Sequence, residues 1–224
     1  WEEAGILSEQ NPLLVIRKSS ASEIGVAREE QLSDHSRLRA YLAEYVDADA
    51  AQNFLNACQN YPLLTGQKAN LYKCFLPRAW DLSAPKSSVG FLHPEGVYDD
   101  PKAGELRSRI YQHLRYHFQF QNALFLFPEI ADRAKFSINV YGAHTDNPNF
   151  VSISNLFSPR TCTDSLKHSG RGSVGGIKTD ENDWNTEGHL DRVIEVSFDQ
   201  LALFSNLFDE EGTPILQARL PTIH

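Results

Sequence analysis

His113 and His117 stand four residues apart, a spacing that puts two imidazoles on one face of a helix and lets them chelate a metal ion. The intervening Leu114-Arg115-Tyr116 lacks the glutamate of the H-E-x-x-H pattern and no third ligand is evident, so solvated helix histidines are the simpler reading. A second candidate is acidic: Glu95, Asp99 and Asp100 follow the apolar run at 89–93, where open α/β sheets place ligands. Asp100, directly before Pro101, also suits a helix cap. The third is Gly170-Arg171-Gly172-Ser173-Val174-Gly175, which spells G-x-G-x-x-G. That pattern cradles a dinucleotide only between a strand and a helix; here 161–169 is polar and 177–185 has no helical period, so it reads as a flexible loop. Beside Lys167, Arg171 and Lys178, its small residues would let backbone and cations approach phosphates. No G-x-S-x-G elbow, Walker loop or Cys/His nucleophile pair occurs, so the chain holds no complete catalytic constellation.

The elements that must position these residues lie between Asn70 and Gly142. A helix is predicted over 67–82, followed by a central, buried strand at 88–93 bounded by Pro85 and Pro94. Leu106, Ile110, Leu114 and Phe118 keep a four-residue spacing that predicts a helix from Asp100 to about Phe118. Strands over 120–127 and 135–141, one short loop apart, are expected to pair as a hairpin. This alternation of helices and apolar strands indicates an α/β sheet. Upstream, 33–45 and 48–58 read as two packing helices, while the apolar run at 13–16 suits a strand or a helix equally. Downstream of Gly142, turn signals crowd together, and only 193–208 reads as regular structure. The expected division is a helical insertion at 1–66, an α/β block at 67–142 and a loop-rich region at 143–224.

Composition narrows the classes. With 41% hydrophobic and 22% charged residues, the chain resembles an ordinary globular protein. No apolar run is long enough to cross a bilayer and no leader precedes the first helix, so neither membrane insertion nor secretion is expected. Cys58, Cys74 and Cys162 are odd in number, widely spaced and without a C-x-x-C pair, which argues for a reducing cytoplasm. A net charge of −8 argues against a nucleic-acid glove, although a local cluster of Arg160, Lys167, His168, Arg171 and Lys178 offsets it. The chain begins at Trp1 and contains no Met, so it reads as a piece of a longer polypeptide.

Asn70-Leu71-Tyr72-Lys73-Cys74-Phe75-Leu76-Pro77-Arg78-Ala79 resembles the N/D-L-Y-x-x-F-x-x-[KR]-A segment of N6-adenine DNA methyltransferases of type I and type IIG restriction–modification and related phage-defence systems. Four further pieces resemble that family in order: Val89-Gly90-Phe91-Leu92-His93-Pro94, Leu106-Arg107-Ser108-Arg109-Ile110, Phe125-Leu126-Phe127-Pro128 and the strand at 136–141. The resemblance spans about a third of the chain. It implies the carboxyl-terminal part of a Rossmann-like class I methyltransferase sheet with a closing β-hairpin, followed by the start of a target-recognition region. It also implies S-adenosyl-L-methionine as cofactor, double-stranded DNA as substrate, and as partners the remainder of a longer polypeptide and other restriction or defence subunits. On this likeness Asn70 and Phe75 face the cofactor, Tyr141 clamps a flipped adenine, and Arg171 and Lys178 contact DNA. For Phe75 the alternative is ordinary helix core; for Tyr141 it is a strand-end tyrosine with a satisfied hydroxyl. The family's glycine-rich cofactor motif and N-P-P-[YFW] tetrapeptide are not in this chain, and their place in the family order lies upstream of Trp1. A non-catalytic DNA-binding module on the same scaffold is the rival expectation.

Overall fold

A computed structural model describes residues 3–67 and 70–224, which fall into two compact units, Trp1–Asn60 and Tyr61–His224. The first unit is helical: α1 (Glu3–Leu7), α2 (Leu13–Ile16), α3 (Ala21–Gln31) and α4 (His35–Asn56). Ser20 and Glu23 close a capping box on α3, and the Asp34 carboxylate accepts the Ser36 and Arg37 amides at the start of α4. The unit is lightly cored, with Leu7 and Leu14 buried and no buried residue in α3 or α4. The undecided run at 13–16 is therefore helical, and the two helices expected over 33–58 are one. Nothing between Tyr45 and Ala48 breaks a helix, since that junction holds neither Gly nor Pro.

The second unit is α/β. Its elements are α5 (Leu71–Leu82), β1 (Val89–Pro94), α6 (Gly96–Asp99), α7 (Gly104–His113), β2 (Leu114–Gln121), β3 (Lys135–Tyr141), β4 (Asn149–Leu156), α8 (Pro159–Lys167), β5 (Ile194–Ser197) and α9 (Phe198–Phe208). The strands form one mixed sheet in the order β1-β3-β2-β4-β5. β3 runs antiparallel to both β1 and β2, β4 is parallel to β2, and β5 is antiparallel to β4. The carboxyl ends of β1, β2 and β4 consequently share one edge. One face carries α5 and α7: Tyr72 stacks on His93 at 5.1 Å and Tyr111 on Phe150 at 5.6 Å. The other face buries Phe120, Phe136, Ile153 and Leu156, with Cys162 of α8 packed against them.

Four expectations are corrected. The strand at 89–94 lies at the edge of the sheet and only His93 in it is buried, because β3 fills one side and no described strand fills the other. The helix ends at His113, and Leu114 and Phe118 belong to β2. A four-residue spacing fits a helix face and, as twice two, a strand face, so those positions could not discriminate. The strand expected over 120–127 stops at Gln121 because the buried Asn122 turns the chain, its side-chain amide donating to the Phe127, Ile130 and Ala131 carbonyls and its oxygen accepting the Phe127 amide. Beyond Gly142 the regular structure is richer than the turn signals suggest, since β4 and α8 precede β5 and the sheet continues through them. The hairpin is present: β2 and β3 pair from Leu114↔Tyr141 to Gln121↔Lys135.

Candidate functional site

Five polar side chains, His93, His117, Ser137, Asn139 and Ser152, alternate along β1 to β4 onto the face beneath α5 and α7, and all are buried. The Pro94 carbonyl can only accept, so the 2.9 Å contact from His93 Nδ1 puts the imidazole proton there. Nε2 of His93 is then the acceptor for the Tyr141 hydroxyl at 3.1 Å and the Asn139 amide at 3.0 Å. Asn139 in turn donates to Ser137 Oγ at 2.7 Å and accepts from the Tyr98 hydroxyl at 2.6 Å. On β2, His117 donates from Nε2 to Glu95 at 3.1 Å, while its Nδ1 meets Ser152 Oγ at 3.0 Å. Serine, histidine and carboxylate thus stand in line. Ser152 is buried, so this line ties β4 and β2 to the loop after β1 rather than presenting a nucleophile.

Glu95 carries the network to the surface. It opens the loop after β1 and lines a 360 Å³ cleft with Tyr98, Asp99, Lys135, Leu220 and Thr222. Burial pushes its carboxyl upward, but the imidazole of His117 and a hydrogen bond from Ser137 outweigh that and hold it below the ordinary carboxylate range. Burial lowers His93. The Tyr72 phenol is pushed up to about 12, first by burial and then by the Glu95 and Asp100 charges. Asp100 is likewise held low: burial opposes, while the Lys102 amide it caps and Lys73, 3.2 Å away, prevail. The carboxyl terminus closes over this region, because Arg107 donates to the Gln217 carbonyl, Tyr111 to Ala218, and the Leu220 amide to Tyr98.

The residues predicted from sequence are dispersed. Asn70 starts α5 at the Glu95 end of the sheet with no capping bond from its side chain, and Phe75, one turn on, is 56% exposed. In this chain the ring lies on the open side of α5. The Tyr141 backbone pairs with Val89 and Leu114 at the opposite edge, and its side chain is fully enclosed by Trp80, Phe91 and His93. Its hydroxyl is satisfied. Arg171 and Lys178 are exposed in the loop after α8. Lys178 lies 4.0 Å over the Trp184 ring and donates to the Asn182 carbonyl at 2.8 Å, so part of its cation is spent inside the loop. Gly170 and Gly172 take positive φ angles there, a backbone conformation that glycine adopts without steric cost. His113 and His117 do not chelate: one ends α7 and the other faces Glu95 from β2. Sequence reasoning missed the network itself. Its signal was the run of polar residues at every second position within otherwise apolar strands.

Neither a protein-family model nor a curated protein sequence matches the chain. Solved structures similar to it in part include two restriction–modification proteins. One is the M protein of the type I restriction enzyme EcoKI, with a TM-score of 0.40 and 15% identity over 69% of this chain. The other is the type IIG restriction endonuclease BpuSI, with a TM-score of 0.38 and 11% identity over 66%. The chain spans 41% of the first protein's length and 18% of the second's.

Proposed function

We propose that this chain is the carboxyl-terminal part of an S-adenosyl-L-methionine-dependent methyltransferase acting on adenine N6 in double-stranded DNA, within a restriction–modification or defence system. The observation carrying the reading is the order of the motif segments. Each of the five, from the Asn70 segment to the strand ending at Tyr141, belongs in sequence to the helix, strand, helix and closing hairpin that the resemblance calls for. The residues of α5 fit one wall of a cofactor site: the Asn70 amide is unspent on capping and the Phe75 ring faces outward, able to cover an adenine. The cofactor would supply the methyl group; the glycine-rich strand and N-P-P turn that the family uses for binding and catalysis belong upstream of Trp1. Methylation needs the base out of the stack. Because Tyr141 is enclosed, its part in this reading is to orient His93. The exposed Phe125 and Phe127, in the loop that enters β3 beside the cleft residue Lys135, are the aromatics offered for stacking. Arg171 and Lys178 serve the phosphates.

Calorimetric titration and methyl-transfer assays test this. The 224-residue chain by itself should bind S-adenosyl-L-methionine no tighter than millimolar and transfer nothing. In the longer polypeptide Phe75→Ala should weaken cofactor binding by about 1 kcal/mol. Joint replacement of Arg171 and Lys178 by Ala should make the salt dependence of DNA binding shallower by about two, one per phosphate contact. Micromolar cofactor binding by the chain alone, or a longer polypeptide that never methylates adenine-containing duplexes, overturns the reading.

A further inference from the structure

The turn that follows α9 packs against the start of α7, and a cleft of 280 Å³ lies between them. Arg107 forms part of its wall. That side chain is 2% exposed, and its hydrogen bonds go to backbone carbonyls: Nε and one Nη to Gln217, the other Nη to Val97 and Asp100. A guanidinium carries one N–H more than these bonds use. Its hydrogen bonding is nearly complete, but its charge is not balanced. Among the described residues no carboxylate pairs with Arg107. Asp100 is taken by Lys73 at 3.2 Å, and Asp209 by the Arg219 Nε at 2.7 Å and the Arg219 amide at 3.0 Å. Burial, the largest influence, pulls the Arg107 guanidinium below its ordinary pKa, as expected of a cation short of counter-charge. Carbonyl dipoles solvate such a charge without neutralising it, and buried cations are ordinarily paired.

Three further features line the same cleft. Arg219 spends only its Nε on Asp209, and its Nη groups bond no described residue. Helix α7 opens there at Gly104 without a side-chain cap, so the positive end of its dipole borders the cleft. Glu210 is the opposing charge, exposed at the cleft's rim.

We propose that this cleft is a phosphate-binding site, which takes the phosphate group of a small anion against Arg107 and Arg219 while Glu210 limits its affinity. Planar guanidinium forks match phosphate oxygens two at a time, and the anion's charge offsets the unpaired Arg107. Methyl transfer plays no part in it. A duplex strand reaches so buried a side chain less readily than a small anion does.

Inorganic phosphate, added to the 224-residue chain at an ionic strength held constant with potassium chloride, is the probe. Heteronuclear NMR follows the Arg107 Nε–H and the Gly104 amide, which should move together along one saturable curve. Glu210→Gln, at an exposed position, should leave the phosphate-free melting temperature unchanged and tighten phosphate binding about threefold. Arg219→Gln should weaken it about tenfold. Movement that never saturates, or an affinity that Glu210→Gln does not change, overturns the proposal. Displacement of phosphate by duplex DNA overturns it too, because the cleft would then belong to a nucleic-acid backbone.

Discussion

Glu95 and His117 depend on each other more than on solvent. The imidazole is almost fully buried, and the carboxylate reaches the cleft only at its rim. Removing one member of a buried pair leaves an uncompensated polar group, whereas an isosteric amide keeps a hydrogen bond. His117→Leu should therefore cost about 3 kcal/mol. Glu95→Gln should cost about 1 kcal/mol. Urea denaturation of the two single variants and the double variant measures this, and losses that simply add would mean that the two residues are not coupled. Asp100 is a milder case, because its cap on Lys102 and its pairing with Lys73 share one carboxylate. The capping role was readable from Asp100-Pro101. The pairing was not, because Lys73 lies 27 residues away in the chain.

At the scale of elements, one side chain sets the hairpin. Asn122 is fully buried and bonds backbone groups of Phe127, Ile130 and Ala131, so the turn carries its own scaffold while Leu124, Phe125 and Phe127 stay exposed. Asn122→Ala would strand those carbonyls and the Phe127 amide, at a cost of about 3 kcal/mol. The Phe127 amide should then exchange as fast as an unstructured one, and unchanged protection would show that the turn is held by packing alone. The strand positions were partly legible. β3 was read with its observed bounds because its apolar and polar residues alternate and a turn precedes it. β2 up to Phe118 was misread as the end of a helix because Leu114 and Phe118 satisfy both periods, and His117 was read as a solvated helix histidine.

The whole second unit shares the buried network, and so its stability should follow pH. Burial holds His93 below its ordinary value, and Glu95 is held below its own despite burial. In each case the unfolded chain binds protons that the folded chain refuses, so both contributions are complete above the unfolded values and fade as pH falls. His93 should begin to cost stability below about pH 6.5, and Glu95 below about pH 4.3. Thermal melts from about pH 8 to about pH 2.5 should show the melting temperature flat at first and then falling in these two stages; His93→Gln should diminish the earlier one, to which His113, also lowered by burial, contributes. A first stage undiminished in that variant would place it elsewhere. The sequence by itself determined the α/β class, the hairpin, the helix that begins after Asn70 and the loop around Gly170, since these follow from local periodicity and turn residues. Only the tertiary structure decided that β1 is an edge, that Tyr141 is enclosed and that His93, Glu95, His117, Asn139 and Ser152 form one network. Those facts depend on which strands lie side by side, and the order β1-β3-β2-β4-β5 is set by packing between residues far apart in the chain.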